Sequence, residues 1–525
     1  MRVHTKGAQR AAAALSGIFL VFGAGMSVTV HAADAPAKTA SHALPPLVSG
    51  DEPIVVTEHR IQTAHGPLVY EARTGRLAIR SEETGEVRGH IFFVAYAVKS
   101  NGPPRPITFA WNGGPTVASA IVHMEGLGPR RRTKTGIVDN AETLLAESDL
   151  VFYDAMETGF SRPEKPEFAA EFLNLKGDVA ATAEFMRAYR ARFRTVDQPL
   201  FIAGESYGVF RAAALADLLT ERGEKIAGTI LISGDIPNIP MPLAFYDAMH
   251  VPARTAAAFY YHRLPPDLMQ DREATLKAVN RWATAVYQPA LEHLDQLSDA
   301  DREKIATELA RFTGLRPDQV DRKTLVVHAG HYLEDFFDGD RTRTLSGSDM
   351  RELDGSPDDL GLGSPVLVDR YLRDELGYAT DLTYTGLEDG YMPTPGHARR
   401  SSGEQFYYNQ DGMTKEDWTR TKKEGEVTYI AHDDPPWIIN AMRRDKTMPV
   451  FVATARYDPL NMCEGDVAAT ATAAPDFSSR IFNHCYESGH VVYRDAAARL
   501  VLARDLSDFI RKALAAQPAA APAQK

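Results

Sequence analysis

Cysteine is nearly missing from this chain, with two residues in 525. That scarcity excludes a small disulfide-stapled scaffold, so the core has to come from the 44% of residues that are hydrophobic. No Lys/Arg run is long enough to track a phosphate backbone. With 58 basic against 70 acidic residues and a formal charge of −12, nucleic acid is not an expected partner. No internal repeat or Gly-X-Y period is present, which excludes solenoid and collagen-like architectures. Beyond the first 32 residues nothing approaches the roughly 18 consecutive apolar residues that a membrane helix requires. What remains is a chain long enough for two to four domains, or for one α/β domain carrying a large insertion.

The N-terminus has the look of an address rather than of fold. Arg2, Lys6 and Arg10 give a positive start, Ala11 to Val30 is apolar and Gly-interrupted, and Val30-His31-Ala32 supplies the small residues that signal peptidase prefers. Residues 1–32 are therefore expected to be a signal peptide cut after Ala32. The mature protein would be exported, periplasmic or secreted, with no stable membrane insertion. The Ala/Pro/Ser-rich residues 33–50 are expected to be a disordered lead-in, and residues 517–525 a disordered tail.

Between these ends the rhythm changes twice. From Ile54 to Ala97, β-branched and aromatic runs are split by Gly66-Pro67, Thr74-Gly75 and Thr84-Gly85, which predicts antiparallel strands. Short apolar strands at Ile107–Ala110, Leu150–Tyr153, Leu200–Ala203 and Thr229–Ile232 then alternate with helical patterns, the signature of a parallel sheet covered on both faces. The alternation stops near Pro240 and resumes at Pro449. The expected fold is α/β: a mostly parallel central sheet flanked by helices, in two parts (51–239 and 449–516), interrupted by a mostly helical cap (240–448). Within the cap, Ser298 and Asp301 predict a helix start, Ile305, Leu309 and Phe312 its buried face, and Gly314 its stop.

The chemistry concentrates at strand ends. Gly204-Glu205-Ser206-Tyr207-Gly208 follows one predicted strand and precedes a helical run, Arg211 to Leu219. A G-x-S-x-G arises by chance about 0.2 times in a chain of this size, so its strand-turn-helix setting is what marks Ser206 as a nucleophile. A base and an orienting acid should follow in the order Ser, Asp, His, each after a late core strand. Asp458 and His490 stand in those places, with Asp466, Asp476, His484 and Asp495 as rivals. Trp111-Asn112-Gly113-Gly114-Pro115, after the strand Ile107–Ala110, offers a loop whose glycines permit backbone donors to approach a developing oxyanion.

Together these blocks resemble the serine carboxypeptidases, specifically their bacterial members. The resemblance rests on W-N-G-G-P at 111, G-E-S-Y-G at 204, Asp458 with Gly465, and G-H-V-V-Y at 489. Leu127-Gly128-Pro129-Arg130-Arg131 and Thr158-Gly159-Phe160-Ser161-Arg162 match further family blocks. The resemblance implies an α/β-hydrolase fold and a Ser206–Asp458–His490 triad. It implies an oxyanion hole made by the N–H groups of Gly114 and Tyr207, and a substrate-carboxylate site made by Asn112 and Glu205. Three positions depart from the family pattern: Thr116 and Glu157 replace glycines, and Gly126 stands where an acid is usual, with Glu125 displaced by one.

The expected function is hydrolysis of peptides with a free C-terminus, releasing C-terminal amino acids through an acyl-enzyme, without a cofactor. The same triad would also serve an esterase or acyltransferase, and a catalytically idle binding homologue is the third reading. Cys463, five residues after Asp458, and Cys485, five before His490, are expected to pair in an exported protein. His328 and His331, with Glu334 and Asp335 nearby, lack strict ligand spacing and are read as cap packing rather than as a metal site.

Overall fold

The computed structural model describes residues 51–100, 102–340, 342–355, 365–387, 421–424, 427–430 and 436–517. The expected signal peptide, the lead-in and the tail beyond Gln517 lie outside the described residues.

Strands β1 (Val55–Thr63), β2 (Gly66–Arg80) and β3 (Val87–Ala97) form an antiparallel meander. It continues into β4 (Ile107–Trp111), β5 (Asp149–Tyr153), β6 (Leu200–Glu205), β7 (Gly228–Ile232), β8 (Val450–Ala455) and β9 (Ile481–Tyr486). The spatial order is β1-β2-β3-β5-β4-β6-β7-β8-β9, with Arg162–Pro163 as a short extra partner of β3. Every pairing from β5 through β9 is parallel, while β3 meets β5 antiparallel. This is the expected α/β-hydrolase architecture.

One local expectation is corrected. Thr74-Gly75 is not a turn, because β2 runs through it without interruption. A Cβ on Gly75 would come within 2.5 Å of Ile54 Cδ1, so the glycine serves close packing in mid-strand.

All residues of β4 to β8 are buried, as parallel strands with two covered faces must be. Alternate side chains go to opposite cores. Phe109, Ile202 and Leu231 pack on the side of α1 (Leu175–Phe193) and α2 (Gly208–Glu221), whereas Ala110, Ala203 and Ile230 face the other way. After β7 the chain enters the insertion, whose α3 (Asp299–Thr313) is capped by Ser298 and ended by left-handed Gly314, as its sequence pattern predicts. The helix α4 (Trp437–Arg444) packs on α2, which places this last part of the 240–448 segment against the sheet core. It leads into β8. Past β8, α5 (Gly465–Ala473) returns the chain to β9, and α6 (Ala496–Ala515) covers the second face through Leu502, Leu506 and Phe509. The C-terminal ends of β4, β6, β8 and β9 thus open at one rim, where a doubly covered parallel sheet places its ligands.

Candidate active site

Ser206 sits between the end of β6 and the start of α2 with φ 58°, a left-handed conformation that costs on the order of 1 kcal/mol or more for a non-glycine residue. Its flanking glycines make the turn possible. A Cβ on Gly204 would lie 1.9 Å from the Gly208 carbonyl oxygen, and one on Gly208 would lie 2.9 Å from the Trp111 ring. The Ser206 N–H donates to the Ile232 carbonyl at 2.9 Å, which ties the turn to the end of β7.

The same strand end holds the histidine. Ser233, next to Ile232, donates its hydroxyl to the His490 carbonyl, and the His490 N–H donates to the Ser348 carbonyl at 2.6 Å. His490 Nδ1 lies 2.7 Å from Asp458 Oδ2. Asp458 is wholly buried, and it also accepts from the Leu460 N–H at 2.9 Å and from the Asn461 amide. Burial alone would depress the imidazole pKa. The charge and hydrogen bond of Asp458 override it and, with Glu205 adding, push His490 up to about 9.

The rivals are engaged elsewhere. Asp466 lies in α5 and accepts from Thr454 Oγ1 at 2.9 Å, and Asp476 lies in the 3₁₀ turn Pro475–Arg480. His484 lies on β9, stacked on Phe451 at 4.6 Å. Asp495 caps α6 through the Ala497 and Ala498 N–H groups. It stands immediately before that helix, as its N-cap.

The loop after β4 lies against the serine turn: a Cβ on Gly113 would be 2.4 Å from the Tyr207 nitrogen and 2.7 Å from that of Gly208. Gly114 follows at φ 105°. The two segments that carry Gly114 and Tyr207 are thus in contact, as two halves of an oxyanion hole must be. Asn112 is 2% exposed. Its Oδ1 accepts from the Val122 N–H at 2.8 Å, while its Nδ2 has no hydrogen-bond partner among the described residues. Glu205 is also 2% exposed, and its charge acts on both His490 and Arg494.

These features can be set beside known proteins. Residues 68–234 match the serine carboxypeptidase family. The match spans β2 to β7 and takes in W-N-G-G-P and G-E-S-Y-G, and it ends before Asp458 and His490. A comparison with curated protein sequences finds no match. Among solved structures, a prohormone-processing carboxypeptidase from Saccharomyces cerevisiae aligns at 14% identity and TM-score 0.44, over 84% of this chain and 91% of that one. A proline iminopeptidase from Mycobacterium smegmatis aligns at 12% and 0.35, over 84% and 100%. A homoserine O-acetyltransferase from Staphylococcus aureus aligns at 12% and 0.34, over 84% and 95%.

The departures from the family pattern now have physical content. Glu157 adopts φ 67°, the conformation a glycine would take without strain. Thr116 keeps a buried hydroxyl with no partner among the described residues. Gly126 lies in a π-helical turn, Val122–Leu127, where a Cβ would come within 2.8 Å of the Tyr493 ring. An acid has no room there. Glu125 is instead buried and clamped by two arginines: Arg132 Nε donates to Oε1 at 2.8 Å and Arg494 Nε to Oε2 at 2.8 Å.

Cys463 and Cys485 are joined as a disulfide with Cα atoms 5.1 Å apart, linking the segment after Asp458 to β9. His328 and His331 stand at the start of the helix Ala329–Asp335, with ring centroids 6.2 Å apart.

Sequence reasoning passed over Arg211. On α2 and 1% exposed, it donates to the Asn112 carbonyl at 2.8 Å and to Asp178 at 2.7 Å, holding the W-N-G-G-P loop from behind. The available signal was an ionisable residue inside an otherwise apolar helical run.

Proposed function

We propose that this protein is an exported serine carboxypeptidase-like hydrolase that removes C-terminal residues from peptides. Ser206 attacks the last peptide carbonyl, and His490 takes its proton and returns it to the leaving amine. Asp458 fixes the imidazole, and water then deacylates the enzyme. The N–H groups of Gly114 and Tyr207 stabilise the oxyanion, and Asn112 and Glu205 receive the substrate carboxylate. The observation that carries this reading is the Asp458–His490 hydrogen bond, on a loop fastened to the strand end that also fastens Ser206. The family match over residues 68–234 supports it.

The test is incubation of a peptide library with the purified protein, followed by mass spectrometry. Loss of single C-terminal residues, abolished in Ser206→Ala, is the expected result. Ester turnover without peptide trimming would replace peptidase with esterase, and failure of Ser206 to take a fluorophosphonate label would point to an idle homologue. Export is tested separately by the intact mass of material from the cell envelope, which should begin at Ala33.

A further inference from the structure

Beside His490 is a cavity of about 480 Å³ whose wall carries five cationic side chains, Arg131, Arg132, Lys134, Arg494 and Arg499. Four carboxylates share that wall, and three of them are held by arginines. Glu125 has Arg132 on one oxygen and Arg494 on the other. Asp349 is held by Arg351 at 2.6 Å, and Asp495 is occupied by the first N–H groups of α6 and by Arg351 at 3.3 Å. Glu352 is the fourth. With Arg351 shared between Asp349 and Asp495, and Glu142 lying 3.9 Å from Arg499, six cations stand against five carboxylates and the wall keeps a surplus of one positive charge.

That surplus includes unused donors. The Arg132 side chain is 1% exposed and its Nη1 has no partner among the described residues, and the same holds for the buried Nε of Arg131. A buried guanidinium with a spare N–H is an incomplete pair, and a carboxylate fits the fork geometry of the group that is missing. The position of the cavity says which carboxylate. His490 hands its proton to the departing amine, so the residue beyond the scissile bond emerges on the histidine side.

We propose that this cavity binds the side-chain carboxylate of a C-terminal Glu or Asp in the departing residue. The proposal rests on the hydrolase reading above and deepens it.

One experiment separates the acidic side chain of a C-terminal Glu from the α-carboxylate, which Asn112 and Glu205 receive. N-blocked peptides ending in Glu or Gln, each as free acid and as amide, are compared on the wild type, Arg131→Gln and Arg499→Gln. Arg132 is left intact because it clamps Glu125. A side-chain carboxylate predicts Glu-ending peptides about tenfold better in kcat/KM, the worth of one charge-assisted hydrogen bond. That advantage should vanish in the variants while Gln-ending peptides change less than about threefold. Equal cleavage of Glu-ending and Gln-ending peptides overturns the proposal. Ratios unchanged by both variants overturn the proposal.

Binding of glutamate and glutamine by calorimetry is read in parallel and does not depend on turnover. If no peptide is cleaved, the hydrolase reading fails alone. Tighter binding of glutamate than of glutamine, lost in the variants, then still supports the site, and equal affinity for the two overturns it.

Discussion

Nδ1 of His490 lies 2.7 Å from Oδ2 of Asp458, a carboxylate with no exposure to solvent. The pair raises the imidazole pKa to about 9, and a general base must be neutral to act. With an ester that lacks a free carboxylate, kcat/KM should therefore climb with pH through that region. Asp458→Asn removes the charge, so the ascending limb should move to lower pH while kcat falls by roughly 10³–10⁴. Ser206→Ala and His490→Ala should each cost about 10⁴–10⁶, and the double variant little more, because the residues act as a unit. An Asp466→Asn or Asp476→Asn variant as damaged as Asp458→Asn would reassign the acid.

Glu205 acts in the opposite direction for free-acid peptides. Two carboxylates about 4 Å apart at an effective dielectric near 20 repel by roughly 4 kcal/mol, so a substrate carboxylate binds best when the pair shares a proton. KM for free-acid peptides should rise with pH, and Glu205→Gln should flatten that rise, because its amide donates without a charge. Since Glu205 also raises the His490 pKa, the same variant should shift the ester profile to lower pH. Amidated peptides should show little KM dependence even on the wild type. Free-acid and amidated peptides cleaved alike from pH 4 to 8 would remove Glu205 from the carboxylate site.

The disulfide between Cys463 and Cys485 closes 22 residues that run from the acid loop to the strand before the base. On the chain-entropy account such a loop stabilises by about 3 kcal/mol. Urea unfolding of a Cys463→Ala/Cys485→Ala variant should show that loss as a lower midpoint with an almost unchanged slope. Two free thiols by intact mass, in protein taken from an oxidising compartment, would show that the pair does not form in solution.

What could be read from the sequence was whatever repeats locally. The apolar runs of β4 to β8 and the glycine pattern around Ser206 encode strand and turn in adjacent residues, so the sheet and the elbow were legible. Gly75 misled because a glycine in a turn and a glycine under a packed Ile54 look alike until the partner, 21 residues away, is known. Arg211 and the arginine clamp on Glu125 were invisible for the same reason. Asn112, Asp178 and Arg494 come from distant segments that only the folded sheet brings together, and Arg132, though seven residues from Glu125, reaches it only through the turn between them. The rival acid Asp466 could not be dismissed by sequence, because its occupation depends on Thr454 and Asp235.

That occupation has its own consequence. Asp466 and Asp235 form a buried carboxyl pair close to Asp458, where the Met462 N–H also donates to Asp235 at 3.3 Å. Burial raises both pKa values, and the charge of Asp466 raises Asp235 further, while Asp466 itself is pushed up to about 6. An acid whose pKa is higher folded than unfolded holds its proton more tightly in the native state. Its stabilising contribution is therefore complete below the unfolded value of about 4 and is lost as pH rises through 6 and beyond. With Ser206→Ala protein, used to prevent self-digestion, the free energy of unfolding attributable to this pair should fall between pH 4 and 8. Asp466→Asn removes the like charge while keeping a hydrogen-bonding group beside Asp235, so it should flatten that slope and raise stability at pH 8. The base contributes in the same sense: the raised His490 pKa gives stability present below about 6.5 and lost as pH passes 9. Asp458→Asn should cancel that second component and weaken the first only slightly, because the charge of Asp458 is a minor contributor to the raised Asp235 pKa. A stability profile that Asp466→Asn leaves unchanged over pH 4 to 8 would show that the two carboxyls do not share a proton.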